Sequence, residues 1–192
     1  MKFFKFNAII YPKERLVAMG FSAEGSRVYQ SGECVVYGVH GVCRVIGKEK
    51  QLVNRKRTEY LVLEPIGHGE SRFYLPVANE TAMGKLRPVL TREALCALLD
   101  SEEIREDNWI ADENLRKQYY RELITSGDRR ELMRMVHTLY GYRVAQQTAG
   151  KKFHLCDDNF LRDAEKLLAS EISLVLDKSQ EDARQYLREQ LA

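Results

Sequence analysis

The residues best suited to metal binding or covalent chemistry are four cysteines and four histidines, and their spacing supports neither. The cysteines lie at positions 34, 43, 96 and 156, so no pair has the Cys-x-x-Cys spacing that is typical of zinc sites. The histidines, at positions 40, 68, 137 and 154, show no ligand spacing either. We therefore expect no metal and no cofactor.

His40 is the one candidate for acid–base chemistry, and nothing near it marks a nucleophile. Its segment, Gly38-Val39-His40-Gly41, is too short and too similar to a strand for a phosphate-binding loop. The chain also contains no nucleophile elbow, Walker loop, dinucleotide fingerprint or His-Glu-x-x-His motif. We expect a protein that is not an enzyme and has no small-molecule substrate, with His40 packed against a neighbouring strand.

The composition describes a globular chain with an uneven charge distribution. Of the 192 residues, 44% are hydrophobic and 30% are charged, and no apolar run approaches the ~20 residues of a membrane helix. We expect a cytoplasmic protein. Residues 1–90 carry an excess of basic residues, whereas acidic residues are in excess at 91–192. Within the second half, an acidic block at 100–113 precedes a basic block at 116–152, which indicates faces with different partners or simply solvated helices.

The segment 32–45 contains two runs of β-branched and aromatic residues separated by glycines. These runs predict two short strands, joined as a β-hairpin or as one strand with a sharp corner. Gly41 would supply the positive φ that a side chain resists. Such a strongly bent sheet is the start of an SH3-like or Tudor-like small β-barrel.

Further strands complete this predicted barrel. Pro76 places one of them at an edge of the sheet or near the strand's end, because proline cannot donate to a ladder. The predicted strands lie at 57–63 and 72–77, with a turn at 65–69 and a short piece at 85–87 that closes the barrel. We therefore predict a β-domain at 29–90, which follows an N-terminal extension at 1–28.

From Thr91 the apolar period becomes helical, so the fold class is α+β with a C-terminal all-α bundle at 91–192. Thr91 would cap a short helix, and Ser179 with Asp182 resembles a capping box for the last one. The longer helices are predicted at 113–124, 128–147 and 157–176. Their apolar stripes are Leu132, Met135, Val136, Leu139 and Tyr140, and then Leu161, Ala164, Leu168, Ile172 and Val175.

Several short motifs, taken in their order, resemble the CarD/CdnL family of bacterial transcription regulators, whose N-terminal module is similar to the polymerase-binding domain of the transcription-repair coupling factor. The resemblance covers residues 29–192. In the first half it rests on Gly32-Glu33, Val35-Val36-Tyr37, His40-Gly41, residues 59–63, Leu75-Pro76-Val77 and residues 84–87. In the second half it rests on Asn108-Trp109, Ser126-Gly127-Asp128, Thr138-Leu139-Tyr140 and residues 160–176.

The resemblance implies a factor that holds the RNA polymerase β subunit with its β-domain and promoter DNA with its helical domain, and that stabilises the open promoter complex. An exposed edge strand can add to a strand of a partner, and residues 72–77 are our candidate for that strand. The family's polymerase contacts correspond here to Leu63, Tyr74 and Pro76. The alternative for these three residues is packing in the core or in a turn.

For DNA, the resemblance implies that Trp109 enters the minor groove at the upstream edge of the transcription bubble. There it would stack on an unpaired base or hold a distorted step open. The alternative is that this single tryptophan fills a core between the domains. Largely non-sequence-specific phosphate contacts are expected from Arg116, Lys117, Arg121, Arg129, Arg130 and Arg134.

One departure from the family bears on DNA binding. Many members have arginines directly after the tryptophan, whereas this chain has Ile110-Ala111-Asp112-Glu113 and first reaches a basic residue at Arg116. Either the basic residues come from a different turn, or DNA binding is weaker here. The rival interpretations are a polymerase-binding adaptor that recruits another protein without touching DNA, and an RNA-binding protein with a Tudor-like module.

Overall fold

The N-terminal part of the chain folds as one antiparallel sheet. A computed structural model describes residues 27–53, 55–67 and 71–192. Residues 1–26 of the predicted extension, with His68 and Gly69 of the predicted turn, lie outside the described residues. The sheet has five strands in the order β4-β3-β2-β1-β5. They are β1 (Cys34–Tyr37), β2 (Val42–Val53), β3 (Lys56–Pro65), β4 (Phe73–Pro76) and β5 (Leu86–Pro88).

The sheet is open, so the predicted closure into a barrel is wrong. The segment that was expected to close it, residues 85–87, contributes to β5, which pairs with β1 alone among the described strands. The two edge strands end at Pro76 and Pro88. Proline has no N–H to donate to a ladder, and both edge strands are short, so these edges do not join each other. The prediction that Pro76 lies in an edge strand is confirmed.

The predicted hairpin is formed by β1 and β2. Val36 pairs with Val42, and a single 3₁₀ turn, Gly38–His40, connects the strands. Gly41 has φ 72°, as predicted, and the His40 ring packs 4.3 Å from the Phe73 ring centroid. One face of the sheet carries a buried apolar cluster of alternating residues from all five strands. Its members are Val35, Cys43, Val45, Leu61, Leu63, Leu75 and Leu86.

The rest of the chain is helical, and the predicted helices are confirmed with shifts of about two residues at their ends. Five of the helices begin at a side-chain cap: Asn79, Thr91, Asp112, Asp128 and Ser179 each accept a hydrogen bond from the N–H three residues later. A one-turn helix after Asn79 was not predicted. The helices are α1 (Glu80–Met83), α2 (Arg92–Leu99), α3 (Glu113–Ser126), α4 (Arg129–Thr148), α5 (Leu155–Leu176) and α6 (Gln180–Leu191), with a 3₁₀ turn at Glu102–Arg105.

Two of these helices, α4 and α5, supply most of the helical core. The predicted apolar stripes of both helices are buried in it, except that Val175 is only half-buried. A polar connection crosses the same core, since the Tyr140 hydroxyl donates to Glu165 Oε1 at 2.6 Å. Arg188 of α6 reaches the same carboxylate at 3.3 Å. The last helix is therefore tied to the bundle by charge as well as by apolar contacts.

Glu171 joins the helices to the sheet. Its carboxylate accepts two hydrogen bonds from Arg129, at 2.6 and 2.7 Å, and one from the Leu90 N–H at 2.8 Å. Arg129 also donates to the Pro88 carbonyl at the end of β5, at 2.6 Å. The Arg129 and Glu171 side chains are only 16% and 6% exposed. One carboxylate thus binds α5 to the start of α4 and to the segment that leaves the sheet.

Close backbone packing surrounds this junction. A Cβ on Gly127 would lie 2.7 Å from the Arg87 guanidinium, and one on Gly41 would lie 2.8 Å from Ser170 Oγ. Both glycines have positive φ, so a side chain would be strained as well as crowded. Burial and the neighbouring Arg129 cation lower the pKa of Arg87, while Glu171 opposes the shift. Glu171 therefore compensates two nearby cations.

We predict that Glu171→Gln lowers the free energy of unfolding by about 3 kcal/mol, because it leaves Arg129 and Arg87 without a compensating charge in a mostly buried site. Urea unfolding measures this change. Glu181→Gln is the matched control, since Glu181 pairs with Arg184 at the surface and is 75% exposed. An equal effect of the two substitutions would contradict the role assigned to Glu171.

Candidate functional site

Trp109 lies in the segment between the 3₁₀ turn and α3, and the residues before it fix its backbone. The Thr138 hydroxyl donates a hydrogen bond to Asn108 Oδ1 at 2.9 Å. The Asn108 backbone N–H in turn donates to Thr138 Oγ1 at 3.3 Å. The Trp109 N–H donates to Asp107 Oδ1 at 3.0 Å. The side chain is half-buried and packs against the helical core rather than between sheet and helices. The Asn108–Thr138 contact therefore anchors the tryptophan to α4.

Both faces of the Trp109 ring are covered. The Tyr142 ring stacks on it with 3.6 Å between centroids and an angle of 20° between the planes. The Arg116 guanidinium carbon lies 4.2 Å from the ring centroid, at cation–π distance. Two partners so close to the ring centre cannot share one face, so the indole lies between them. What the ring leaves exposed is its edge.

Arg116 is held by a buried ion pair. Its Nε and Nη2 atoms donate to the two carboxylate oxygens of Asp157, at 3.0 and 3.1 Å, and Nη1 donates to the Ile110 carbonyl at 2.7 Å. The Arg116 and Asp157 side chains are 4% and 1% exposed. Burial alone would lower the pKa of Arg116, but the hydrogen bonds and charge of Asp157 outweigh it and raise that pKa. Arg116 stays charged against Trp109 at any pH at which the fold persists.

This placement is inconsistent with the predicted phosphate contact of Arg116. The guanidinium would have to leave Asp157 and the indole to reach a phosphate, and it would leave a buried carboxylate unpaired. Arg116 instead positions Trp109. The sequence distance of 41 residues between Arg116 and Asp157 gives no local pattern by which the pair could have been found.

A groove of about 400 Å³ lies beside the Trp109 edge. Its wall on α4 includes His137, Gly141 and Ala145, and Asp107 lies at its other side. Because Gly141 has no side chain, nothing projects from α4 into the groove at this position. The tryptophan edge thus borders an open concave surface, and Tyr142 is the functional candidate that the sequence analysis missed.

The other predicted phosphate contacts differ in how free their charges are. Arg121 is exposed and forms no ion pair with any residue that the structure describes. Lys117 pairs with Glu113 one turn earlier. Arg129 is occupied by Glu171, Arg130 pairs with Glu103, and Arg134 pairs with Glu131 and Glu106.

The acidic block therefore lies against the basic residues at the start of α4. Glu103 belongs to the 3₁₀ turn and Glu106 follows it directly. These carboxylates partly neutralise Arg130 and Arg134. The acidic and basic blocks thus meet here, whereas the sequence analysis interpreted them as faces with different partners or as solvated helix surfaces. Of the six predicted basic residues, Arg121 is the most available to a phosphate.

The predicted polymerase contacts divide between the two faces of the sheet. Opposing residues of an antiparallel pair share a face. Leu63 pairs with Phe73 and is fully buried in the sheet core, which is inconsistent with a direct contact. Tyr74 and Pro76 lie on the opposite face from Leu75, and Tyr74 is 42% exposed. Since β4 is an edge strand, its outer backbone groups and these two side chains form one accessible surface.

Two family models match the chain. The CarD-like/TRCF RID domain matches residues 29–90, and the CarD C-terminal domain matches residues 94–188. The chain belongs to the CarD/CdnL family. It is accordingly a transcription-related protein that interacts with RNA polymerase, from a family of transcription factors rather than enzymes. A comparison with curated proteins finds no match.

Metal-binding clusters and membrane-spanning helices are both absent from the residues that the structure describes. Within 27–53, 55–67 and 71–192, no group of three or more Cys, His, Asp and Glu residues is arranged to hold a metal ion. Over the same ranges, no helix combines the length and apolar character that crossing a membrane requires.

We predict that Asp157→Asn lowers the free energy of unfolding by about 3–5 kcal/mol, because it leaves the Arg116 charge buried and unpaired. Trp109 is the only tryptophan of the chain, so its fluorescence reports the same site. In the folded variant, we expect acrylamide to quench Trp109 more strongly than in the parent protein.

The neighbouring Asp158→Asn is the matched control for this prediction, since Asp158 pairs with Arg162 at the surface. Exposed ion pairs contribute roughly 0–1 kcal/mol. If Asp157→Asn and Asp158→Asn gave the same stability and the same quenching, the proposed support of Trp109 by the buried pair would be refuted.

Proposed function

We propose that this protein binds the β subunit of RNA polymerase through β4 and stabilises the open promoter complex by placing Trp109 in the minor groove at the upstream edge of the bubble. The observation that carries the proposal is the sandwich of Trp109 between Arg116 and Tyr142. A side chain fixed on both faces loses little conformational freedom when its edge meets DNA. The hydrogen bonds of Glu171 hold the helices that carry Trp109 against the sheet that contains β4.

The covered faces favour one of the two expected actions of Trp109. Stacking on an unpaired base needs a free ring face, which would require Tyr142 or Arg116 to leave. Insertion of the exposed edge into a distorted base step needs no such change. Wedges of this kind partly unstack a step, at a cost of a few kcal/mol that is offset by the new contacts. We therefore assign Trp109 the role of a wedge.

Docking on polymerase would use the open edge of β4. Strand addition supplies affinity through main-chain hydrogen bonds, and alternate side chains supply specificity. Tyr74 and Pro76 are the alternate side chains on the accessible face of this strand. Leu63 would act indirectly, by supporting β4 from the core.

We predict that Tyr74→Ala weakens binding to the isolated polymerase β lobe by roughly tenfold or more, as expected when an aromatic anchor worth over 1 kcal/mol is truncated. Isothermal titration or anisotropy measures the dissociation constant. Tyr29→Ala is the control, because Tyr29 is a half-buried tyrosine that precedes β1. Unchanged affinity of Tyr74→Ala would exclude β4 as the docking strand.

We predict that Trp109→Ala shortens the lifetime of open complexes about tenfold at saturating protein, which corresponds to about 1.4 kcal/mol of lost stabilisation. Trp109→Phe should retain part of the effect, since a smaller wedge remains. Competitor-challenge assays on a promoter that opens slowly measure the lifetime. A lifetime equal to that of the parent protein would show that Trp109 does not act on DNA.

The polymerase-binding adaptor that never touches DNA remains the second candidate function. It is favoured by the burial of Arg116 and by the ion pairs of Arg129, Arg130 and Arg134, which leave few free charges near Trp109. The two functions differ in their affinity for forked DNA, which falls with salt only if phosphates are contacted. Binding without salt dependence, or no binding at low salt, would support the adaptor.

A further inference from the structure

The hairpin of β2 and β3 extends well beyond the rest of the sheet. Its pairing continues to Val53 opposite Lys56, whereas β1 covers β2 only up to Arg44, and β4 covers β3 only from Tyr60 onward. Residues 48–53 and 55–59 therefore form a two-stranded projection, which we call the ribbon. A shift of register between Val45 and Gly47 marks a bulge at its base. Such a bulge bends the strand and changes the direction in which the ribbon projects.

The ribbon is strongly basic. Residues 48–59 contain five lysines and arginines and two glutamates, so the ribbon carries much of the positive charge of the N-terminal half. Only Lys48 has an ion-pair partner among the described residues, Glu59 at 3.8 Å. Its basic residues, all of them exposed, are Lys48, Lys50, Arg55, Lys56 and Arg57.

The register places most of these charges on one face of the ribbon. Arg57 lies opposite Leu52 and shares a face with Lys50, whereas Lys56 lies opposite Val53 on the other face. Leu52 is 70% exposed near the tip. Charges on unpaired strands, and lysine above all, also discourage edge-to-edge aggregation. Lys48, Lys50 and Arg57 share one face with a single acid, Glu59, whereas Lys56 on the other face is matched by Glu49. The excess of positive charge on the first face points to a negatively charged partner on that side.

We propose that the ribbon is a second DNA-binding element, which enters the major groove of duplex DNA and contacts its phosphates. A two-stranded ribbon fits the major groove, which is about 12 Å wide, and the phosphate backbones that border the groove are then within reach of the basic face. The contact is to the phosphodiester backbone and carries little sequence preference.

This proposal does not rest on the role of Trp109 or on docking through β4. The ribbon leaves the sheet where β4 ends, at the Tyr60–Pro76 pair, so the edge of β4 stays open to a partner. The DNA involved is intact duplex rather than the bubble edge. The ribbon and Trp109 can therefore be tested separately in the full chain.

The test measures binding of the full-length protein to a fluorescent 25-base-pair duplex by anisotropy, over a series of salt concentrations. We expect the double variant Lys50→Gln, Arg57→Gln to bind more weakly and to reduce the slope of log K against log salt by about two, one for each lost phosphate contact. Arg92→Gln, Lys166→Gln is the matched control, since it removes two exposed basic residues of the helical region. Trp109→Ala should keep the parent slope.

Two results would overturn the proposal. One is a slope and affinity of the ribbon variant equal to those of the matched control. The other is unchanged duplex binding together with weaker binding to polymerase alone, which would assign the ribbon to an acidic protein surface. Equal urea midpoints of all variants establish that they are folded. An independent single substitution, Lys56→Glu, should weaken duplex binding in the same direction.

Discussion

The carboxylate of Glu171 is the contact on which the arrangement of the molecule depends. It accepts hydrogen bonds from Arg129 and from the Leu90 N–H, so it holds the start of α4, the middle of α5 and the exit from the sheet at one point. Arg87 lies close by on β5, against the backbone of Gly127. A mostly buried carboxylate with this many donors resists displacement, because any partner left behind would be an uncompensated charge. The sheet and the helices are thereby kept in one relative orientation.

A second buried ion pair, Arg116 with Asp157, serves the tryptophan in the same way. The guanidinium supports one face of Trp109, and Tyr142 covers the other. A factor that acts on DNA while it is attached to polymerase needs the side chain that contacts DNA at a fixed distance from its docking strand. Free movement between that side chain and the strand would cost conformational entropy on binding. In the proposed function, the Glu171 junction would hold the sheet against the helices and the Arg116–Asp157 pair would hold Trp109, while the ribbon would add a charged contact on the sheet side.

Much of the fold could be predicted from local signals, whereas the site largely could not. Period-2 and period-3.6 patterns located the strands and the long helices, and caps such as Thr91 marked helix starts, because these features depend on neighbouring residues. Closure of the barrel was a long-range property, and the sequence of β5 gave no sign that it would pair with β1 alone. Other features also depend on residues far apart in sequence. These are the burial of Leu63 and Arg116, the stacking of Tyr142 on Trp109 and the ion pairs of the acidic block. The sequence shows the sign of the charge at every position, but it does not show which residue pairs with that charge.

The most direct test of the role of the Glu171 junction is the lifetime of open promoter complexes formed with Glu171→Gln, at a temperature where the variant stays folded and at saturating concentration. The substitution leaves Tyr74 and Trp109 unchanged but weakens the junction that relates them. We predict an affinity for polymerase equal to that of the parent protein and an open-complex lifetime shortened toward that of polymerase alone. An unchanged lifetime would contradict this role, since the fixed relation between sheet and helices would then be irrelevant to the action on DNA.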